Sequence, residues 1–155
     1  MRILLGTNIL ARAAMPNSGP ARALLLKATE APNVLLISGY ILSELSRILR
    51  YERVQNLHGL DDVGIDQYLA DLQATGATVE IPNEAHVSIV PHDPADDDIV
   101  ATAIAGQADM LRTRDRHLHH LEVREYYKAC GIRVLTDLEL LEILRESDSL
   151  PDALD

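Results

Sequence analysis

The chain has 155 residues, a hydrophobic content of 47% and a formal net charge of −10 at pH 7. This length suits one domain that buries about two-thirds of its unfolded surface in a single core, and the hydrophobic content excludes a disordered chain. The negative charge argues against broad electrostatic attraction to nucleic acid, although it is compatible with a local basic rim around an acidic site.

Three further features of the sequence narrow the class of protein. No apolar run approaches the roughly 20 residues that a membrane helix needs, and the opening MRILL lacks the apolar core and cleavage site of a signal peptide. We therefore expect a cytoplasmic protein that does not associate with a membrane. The single cysteine, Cys130, cannot form an internal disulfide, and five tyrosines without Phe or Trp do not favour a base-stacking platform.

The first third of the chain alternates short apolar runs with helical segments. Residues 2–5 predict a strand, which ends at Gly6 and leads through Thr7 and Asn8 into a helix. Residues 21–31 predict a second helix, because they are rich in Ala and Leu and are flanked by prolines. The continuous apolar run 33–38 is typical of a strand that is buried on both faces of a parallel sheet.

The middle of the chain predicts two long helices. Residues 40–53 form the first, with an apolar face made of Ile41, Leu42, Leu45, Ile48 and Leu49. Glu44 lies in its early turns, where a carboxylate is more often solvated or paired with Arg47 than bound to a ligand. Residues 61–75 form the second helix, which Gly76 ends, and we expect it to extend beyond the sheet as half of a helical hairpin.

The remaining segments are shorter. Residues 78–81 and 87–90 are two strand candidates, of which one is enough for the sheet. The later segments alternate between strand and helix, at residues 109–113, 118–130, 132–135 and 137–145. The last of these helices is capped by Thr136 or Asp137.

An acidic cluster precedes the best-defined helix of the second half. Asp93, Asp96, Asp97 and Asp98 come before the run IVATAIAG, which repeats at helical spacing until Gly106 stops the helix. Asp96 occupies the place of an N-cap, and the helix dipole favours the acids that follow it. Four aspartates within six residues nevertheless repel one another, so the cluster calls for a cation or for full solvation.

Strands that alternate with helices predict a three-layer α/β/α sandwich around a central, mainly parallel sheet. We assign residues 1–146 to one such domain and residues 147–155 to a flexible tail. Sites in this fold class form where strands end. The residues expected to converge there on one cleft are Gly6, Glu44, Asp96 and Asp115.

The candidate ligands favour one class of metal ion. Three carboxylates and several waters suit octahedral Mg²⁺ or Mn²⁺, whereas no Cys/His set has the spacing of a zinc site. The nearest zinc candidate, HLHH at residues 117–120, is predicted to be an exposed loop.

Four motifs in this order resemble one known family. The chain reads LLGTNIL from the first strand into the following turn, then SGYILSEL with Glu44, then DPADDDIVATA, and finally Thr113-Arg114-Asp115. This order and spacing resemble the PIN-domain ribonucleases, and especially the VapC-like toxins of toxin–antitoxin pairs. The resemblance covers nearly the whole chain.

The resemblance implies an activity and a set of partners. It implies hydrolysis of RNA phosphodiester bonds with bound Mg²⁺ or Mn²⁺, a homodimer, and a cognate antitoxin that inserts a segment near the acidic cleft. The catalytic, metal-binding acids that it implies are Glu44, Asp96 and Asp115, with Asp93 and Asp98 as weaker candidates. The groups that it implies for orienting carboxylates and waters are Thr7, Asn8 and Thr113.

Gly6 is the main departure from the family pattern. The first acidic residue of the family belongs at this position, within an Asp-Thr-Asn motif that reads Gly-Thr-Asn here. The chain therefore lacks one expected metal ligand, through an introduced change or natural degeneration. The resemblance then implies either an impaired ribonuclease or an inactive PIN-fold protein that binds RNA or antitoxin.

Two other enzyme classes fit the opening motif less well. A phosphatase of the haloacid dehalogenase type needs a second Asp where Asn8 stands, and a nucleotide-binding Rossmann domain needs GxGxxG, which GTNILA does not match. Basic residues with two open interpretations, as phosphate contacts or as surface ion-pair partners, are Arg12, Arg47, Arg114 and Arg116.

Overall fold

A computed structural model describes residues 1–16, 19–81, 94–112 and 121–149, without the side chains of residues 94–98, 122–123, 126 and 147–149. Its elements in chain order are β1 (Arg2–Leu5), α1 (Thr7–Ala13), α2 (Pro20–Thr29), β2 (Val34–Ser38), α3 (Gly39–Leu49), α4 (Glu52–His58), α5 (Asp62–Thr75), β3 (Ala77–Val79), α6 (Pro94–Ala105), β4 (Met110–Arg112), α7 (Leu121–Ala129), β5 (Arg133–Leu135) and α8 (Asp137–Ser149).

The described strands form one sheet in the order β3-β2-β1-β4-β5. Every neighbouring pair is parallel, with Ile3 opposite Leu35 on one side of β1 and Leu5 opposite Arg112 on the other. Parallel strands need helical crossovers, which cover the sheet and explain why β1 and β2 are almost wholly apolar and buried. The predicted fold class is confirmed.

Helices lie on both faces of the sheet. After α5, a Cβ at Gly76 would lie 2.7 Å from Cγ1 of Ile37, whereas after α6 a Cβ at Gly106 would lie 2.9 Å from Cδ1 of Leu36. Successive strand residues point to opposite faces, so α5 and α6 cover opposite sides of β2. This arrangement is the three-layer sandwich that the alternation of strands and helices predicts.

The two glycines that end helices are needed for close packing. Gly76 has an ordinary φ of −84°, and the left-handed residue after α6 is Gln107, with φ 52°. Both glycines do end their helices, as predicted. The reason is the lack of room for a Cβ at the helix–sheet contact, rather than the left-handed conformation that glycine usually supplies at a helix end.

The predicted single helix over residues 40–53 is wrong, because the chain turns at Arg50 and Tyr51 between α3 and α4. The buried His58 ring at the end of α4 stabilises this turn. Its Nε2 lies 2.7 Å from the Leu49 carbonyl oxygen, and its Nδ1 accepts a hydrogen bond of 2.9 Å from the Leu60 N–H. The ring thus binds backbone groups at the end of α3 and after α4.

The position of α5 also differs from the prediction. Asp61 caps its start by accepting a hydrogen bond of 2.8 Å from the Gly64 N–H, but the helix does not extend beyond the sheet. It contacts α3, β2 and β3. Its buried Ile65 and Leu72 explain why, since they need the apolar surface that α3, β2 and β3 together provide.

The remaining predictions have mixed outcomes. Strand β3 matches the first of the two strand candidates within one or two residues, while residues 87–90 lie outside the described residues. The last helix begins after Thr136 as predicted but continues to Ser149, and residues 150–155 are also not described. No described helix is long and apolar enough to cross a membrane.

Candidate active site at the carboxyl ends of the strands

The carboxyl ends of β1, β2 and β4 meet at one edge of the sheet, because the strands are parallel. From β1 the chain crosses to β2, and from β4 it crosses to β5 on the opposite side. The ends of β1 and β4 therefore flank the point where strand order reverses, which is where open α/β sheets bind ligands. Gly6 directly follows β1 at this point.

Gly6 adopts a backbone conformation that any residue can take. Its φ and ψ are −64° and 156°, so the freedom of glycine is not used. Its N–H donates to the Arg112 carbonyl oxygen at 2.8 Å, and its own carbonyl oxygen accepts from the N–H groups of Ile9 and Leu10. The backbone at position 6 therefore joins β1 to β4 and starts α1 without requiring glycine.

The alternation along β1 sets the direction of a side chain at position 6. Arg2 reaches the α6 layer, since its Nε donates to the Gly106 carbonyl oxygen at 2.7 Å. Position 6 keeps the extended backbone and lies four residues later, so a side chain there would point to the same face of the sheet. That face is the one that α6 covers, and Asp96 and Asp98 belong to the beginning of α6.

Asp96 is the third residue of α6, because the helix begins at Pro94. The prediction that Asp96 is the N-cap is therefore wrong. Proline is favoured at the first helical position, where its fixed φ suits the helix and its missing N–H costs no hydrogen bond. Asp96 still lies in the first turn, where the helix dipole favours a carboxylate.

A buried hydroxyl pair joins β2, α3 and α6. Ser38 ends β2 and caps α3 by accepting from the Ile41 N–H at 3.3 Å, and its Oγ lies 3.0 Å from Oγ1 of Thr102 on α6. Both side chains are almost fully buried. Thr102 lies one helical turn after Asp98, so this contact fixes the acidic end of α6 relative to the helix that carries Glu44.

Glu44 is half-buried and engaged at both carboxylate oxygens. Its Oε2 accepts a hydrogen bond of 2.8 Å from the Tyr40 hydroxyl, and its Oε1 forms an ion pair of 3.2 Å with Nη2 of Arg47. The interpretation of Arg47 as an ion-pair partner is confirmed. The same contacts hold the Glu44 carboxylate in one orientation near the start of α3.

Arg112 is a buried charged residue that sequence reasoning missed. It ends β4, its side chain is 4% exposed, and its Nε forms an ion pair with Asp137 at the start of α8. Within the described part of the chain, its Nη1 has no hydrogen-bond partner. The only sequence signal was an arginine within the apolar run MLRT. Its ion pair anchors the strand end that leads into residues 113–115.

The predicted site residues are only partly described. Thr7 is buried and Asn8 is exposed at the start of α1, while only the backbone is described for Asp96 and Asp98. The predicted residues outside the described ranges are Asp93, Thr113, Arg114, Asp115, Arg116 and residues 117–120. Among the described side chains, no three His, Cys, Asp or Glu residues are grouped so that they could hold a metal ion.

The sequence also matches a family model. The model described as "PIN domain" matches residues 2–117, which is most of the chain. The chain belongs to the PIN-domain family. No curated protein sequence matches it with significance.

A solved structure supports the PIN fold independently. The match is a chain from the crystal structure of VapBC2 from Rickettsia felis, bound to a DNA fragment from its promoter. The TM-score is 0.59 and the sequence identity is 16%, over 88% of the PIN-domain chain and 98% of the VapBC2 chain. At this identity the likeness concerns the fold.

Proposed function

We propose that this PIN-domain chain is a VapC-type endoribonuclease that depends on Mg²⁺ or Mn²⁺ and is impaired by Gly6. The observation that carries the proposal is the position of Gly6. It follows β1 at the point where strand order reverses. Its backbone conformation is one that aspartate can adopt, and a side chain at this position would point toward the layer of α6. An acid there would face the layer that contains Asp96.

The donor groups fit a hard divalent cation. Glu44 lies in the second turn after β2, and among the described residues each of its oxygens accepts one hydrogen bond, although a carboxylate oxygen has two lone pairs. Carboxylate oxygens with waters suit Mg²⁺ and Mn²⁺. The residues that would hold the ion are Glu44, Asp96 and Asp115, with Asp93 and Asp98 as further candidates. When bound, the cation lowers the pKa of an attacking water and neutralises charge on the phosphate.

The other residues of the site would orient these groups. Thr7 and Asn8 begin α1 immediately after position 6, and Thr113 follows β4, so their polar side chains would direct carboxylates and waters. The Ser38–Thr102 contact would keep α3 and α6 at a fixed separation. Arg112 would keep the end of β4 in place through Asp137.

Restoring the acid tests the proposal. We expect Gly6→Asp to raise Mn²⁺-dependent cleavage of a mixed RNA pool by at least about tenfold, since even the loss of a group that only orients a metal ligand typically costs about 10–100-fold in affinity or activity. Gly6→Asn is the matched control, because it has nearly the same size without the charge, and it should not gain activity. Asp96→Asn in the Gly6→Asp background should remove the cleavage while thermal unfolding shows an intact fold.

The outcomes separate two functions. If the original chain and Gly6→Asp cleave RNA at equal rates, the remaining acids are sufficient for activity. The proposal that Gly6 impairs the enzyme would then be wrong. No cleavage by either protein would favour the second candidate, a non-catalytic PIN scaffold that binds RNA or an antitoxin. The glycine at position 6 is the observation that favours this candidate.

The proposed partners follow from the VapC type. We infer a cognate antitoxin and a homodimer, and the related fold in the VapBC2 complex supports the antitoxin. Co-expression of the chain with a candidate antitoxin, followed by co-purification and measurement of the mass of the complex, tests both. A cytoplasmic location stays a prediction.

A further inference from the structure

Two side chains from its own helix hold the Glu44 carboxylate. Tyr40 precedes Glu44 by four residues and Arg47 follows it by three, so all three lie on one face of α3. The hydroxyl of Tyr40 donates to Oε2 at 2.8 Å, and Nη2 of Arg47 donates to Oε1 at 3.2 Å. Each carboxylate oxygen thus has a different partner.

The two partners differ in charge and in freedom. Tyr40 is neutral and half-buried, whereas the Arg47 side chain is positively charged and 60% exposed. Arg47 also contacts Tyr51, since its Nη1 donates to the Tyr51 hydroxyl and its guanidinium carbon lies 5.6 Å from the centre of the Tyr51 ring. A guanidinium at this distance from an aromatic ring is attracted to it. Arg47 can therefore leave Glu44 and still be held.

We propose that Tyr40 positions Glu44 for a divalent cation, whereas Arg47 occupies Glu44 in the absence of the cation and is displaced toward Tyr51 when the cation binds. A neutral hydroxyl donor leaves the second lone pair of Oε2 available and costs no electrostatic repulsion. A guanidinium beside the same carboxylate repels a doubly charged ion. This inference rests on the proposed metal site at Glu44.

The inference predicts opposite effects for two substitutions. We expect Tyr40→Phe to weaken Mn²⁺ binding by about tenfold, because the ring stays and only the orienting hydroxyl is lost. Arg47→Gln should tighten Mn²⁺ binding, because it removes a positive charge that repels the cation. The gain should be larger at low salt than at high salt, because salt screens this repulsion. Arg47→Lys keeps the charge and should bind Mn²⁺ like the original chain.

The experiment measures Mn²⁺ dissociation constants by titration calorimetry and by the electron paramagnetic resonance of free Mn²⁺, in the original chain and in Gly6→Asp. Tyr68→Phe is the matched control for Tyr40→Phe, because it loses a hydroxyl that donates to the Leu10 carbonyl oxygen rather than to Glu44, and it should change Mn²⁺ affinity by less than about twofold. Thermal unfolding in the presence of a chelator checks that the fold is unchanged.

The results distinguish this inference from the proposed function. Mn²⁺ binding that is lost in Glu44→Gln but unchanged in Tyr40→Phe would overturn the positioning of Glu44 and leave the proposed function intact. Weaker binding in Arg47→Gln would overturn the displacement of Arg47. The absence of any binding that depends on Glu44, in both backgrounds, would overturn the proposed metal site and this inference together.

Discussion

Tyr68 joins two helices through one buried hydrogen bond. Its hydroxyl on α5 donates to the Leu10 carbonyl oxygen of α1 at 2.6 Å. Burial raises the pKa of this hydroxyl above its ordinary value of 10.0, while Arg22 opposes the shift. The folded chain therefore favours the neutral form of the hydroxyl. The hydrogen bond between Tyr68 and Leu10, which are 58 positions apart, depends on this form.

Tyr68→Phe should affect stability at neutral and at alkaline pH. At neutral pH we expect a loss of about 1–2 kcal/mol, because the Leu10 carbonyl loses a buried donor. Above pH 10 the unfolded Tyr68 ionises before the folded one, so the original chain loses stability as pH rises. The variant lacks this pH-dependent contribution. Urea unfolding from pH 7 to 11 should therefore show that the two proteins differ less in their free energy of unfolding above pH 10.

At the scale of an element, the start of α8 carries a reciprocal capping arrangement. The Thr136 N–H donates to Oε2 of Glu139 at 2.7 Å, and the Glu139 N–H donates to Oγ1 of Thr136 at 3.4 Å. Arg124 on α7 forms an ion pair of 3.3 Å with the same carboxylate. The backbone hydrogen bond from Thr136 is the main reason why the pKa of Glu139 is lowered.

This arrangement predicts a small loss of stability in acid. A carboxylate with a lowered pKa in the folded state stabilises the protein above its ordinary pKa, and the effect is lost as pH falls through the lowered value. Because the side chain is 43% exposed, solvent screening limits the effect to about 0.5 kcal/mol. Glu139→Gln keeps an acceptor for Thr136, so its urea unfolding should lack this part of the pH dependence below pH 4.5, the ordinary pKa. Equal slopes in the two proteins would contradict the assignment.

Periodicity predicted most elements, because a helix or a strand depends on residues that are near in sequence. The break between α3 and α4 was missed for the opposite reason. It depends on the His58 ring, which contacts the Leu49 carbonyl nine residues away, and no apolar pattern records that contact. Arg47 is predictable as a partner of Glu44 because opposite charges three residues apart on one helix form ion pairs, whereas the apolar pattern does not single out the Tyr40 hydroxyl at i−4.

At the scale of the whole molecule, long-range contacts determine the order of the strands and the packing of α6, which local sequence patterns do not predict. The strand order β3-β2-β1-β4-β5 depends on pairings such as Leu5 with Arg112. The Ser38–Thr102 contact joins residues 64 positions apart, and the sequence identified neither residue as part of the site. The sequence did predict that the site lies at the carboxyl ends of the strands, since that follows from the fold class alone.

Gly106 sets the separation between the α6 layer and the sheet. A Cβ there would lie 2.9 Å from Cδ1 of Leu36 and from Cγ2 of Val79, and 3.0 Å from the Thr102 carbonyl oxygen. Gly106→Ala must therefore displace the Leu36 and Val79 side chains or move α6 away from the two strands. We expect a loss of about 1–3 kcal/mol in the free energy of unfolding, as for other overpacked sites.

Gly39→Ala provides the control for this prediction. Gly39 is the first residue of α3, and a Cβ there would meet nothing within 4 Å, so alanine should be neutral or stabilise the protein by about 0.5 kcal/mol. Urea unfolding of the two variants measures both effects. Equal stability of Gly106→Ala and Gly39→Ala would mean that α6 can shift freely, and the close fit of α6 on β2 and β3 would then not set the position of its acidic first turn.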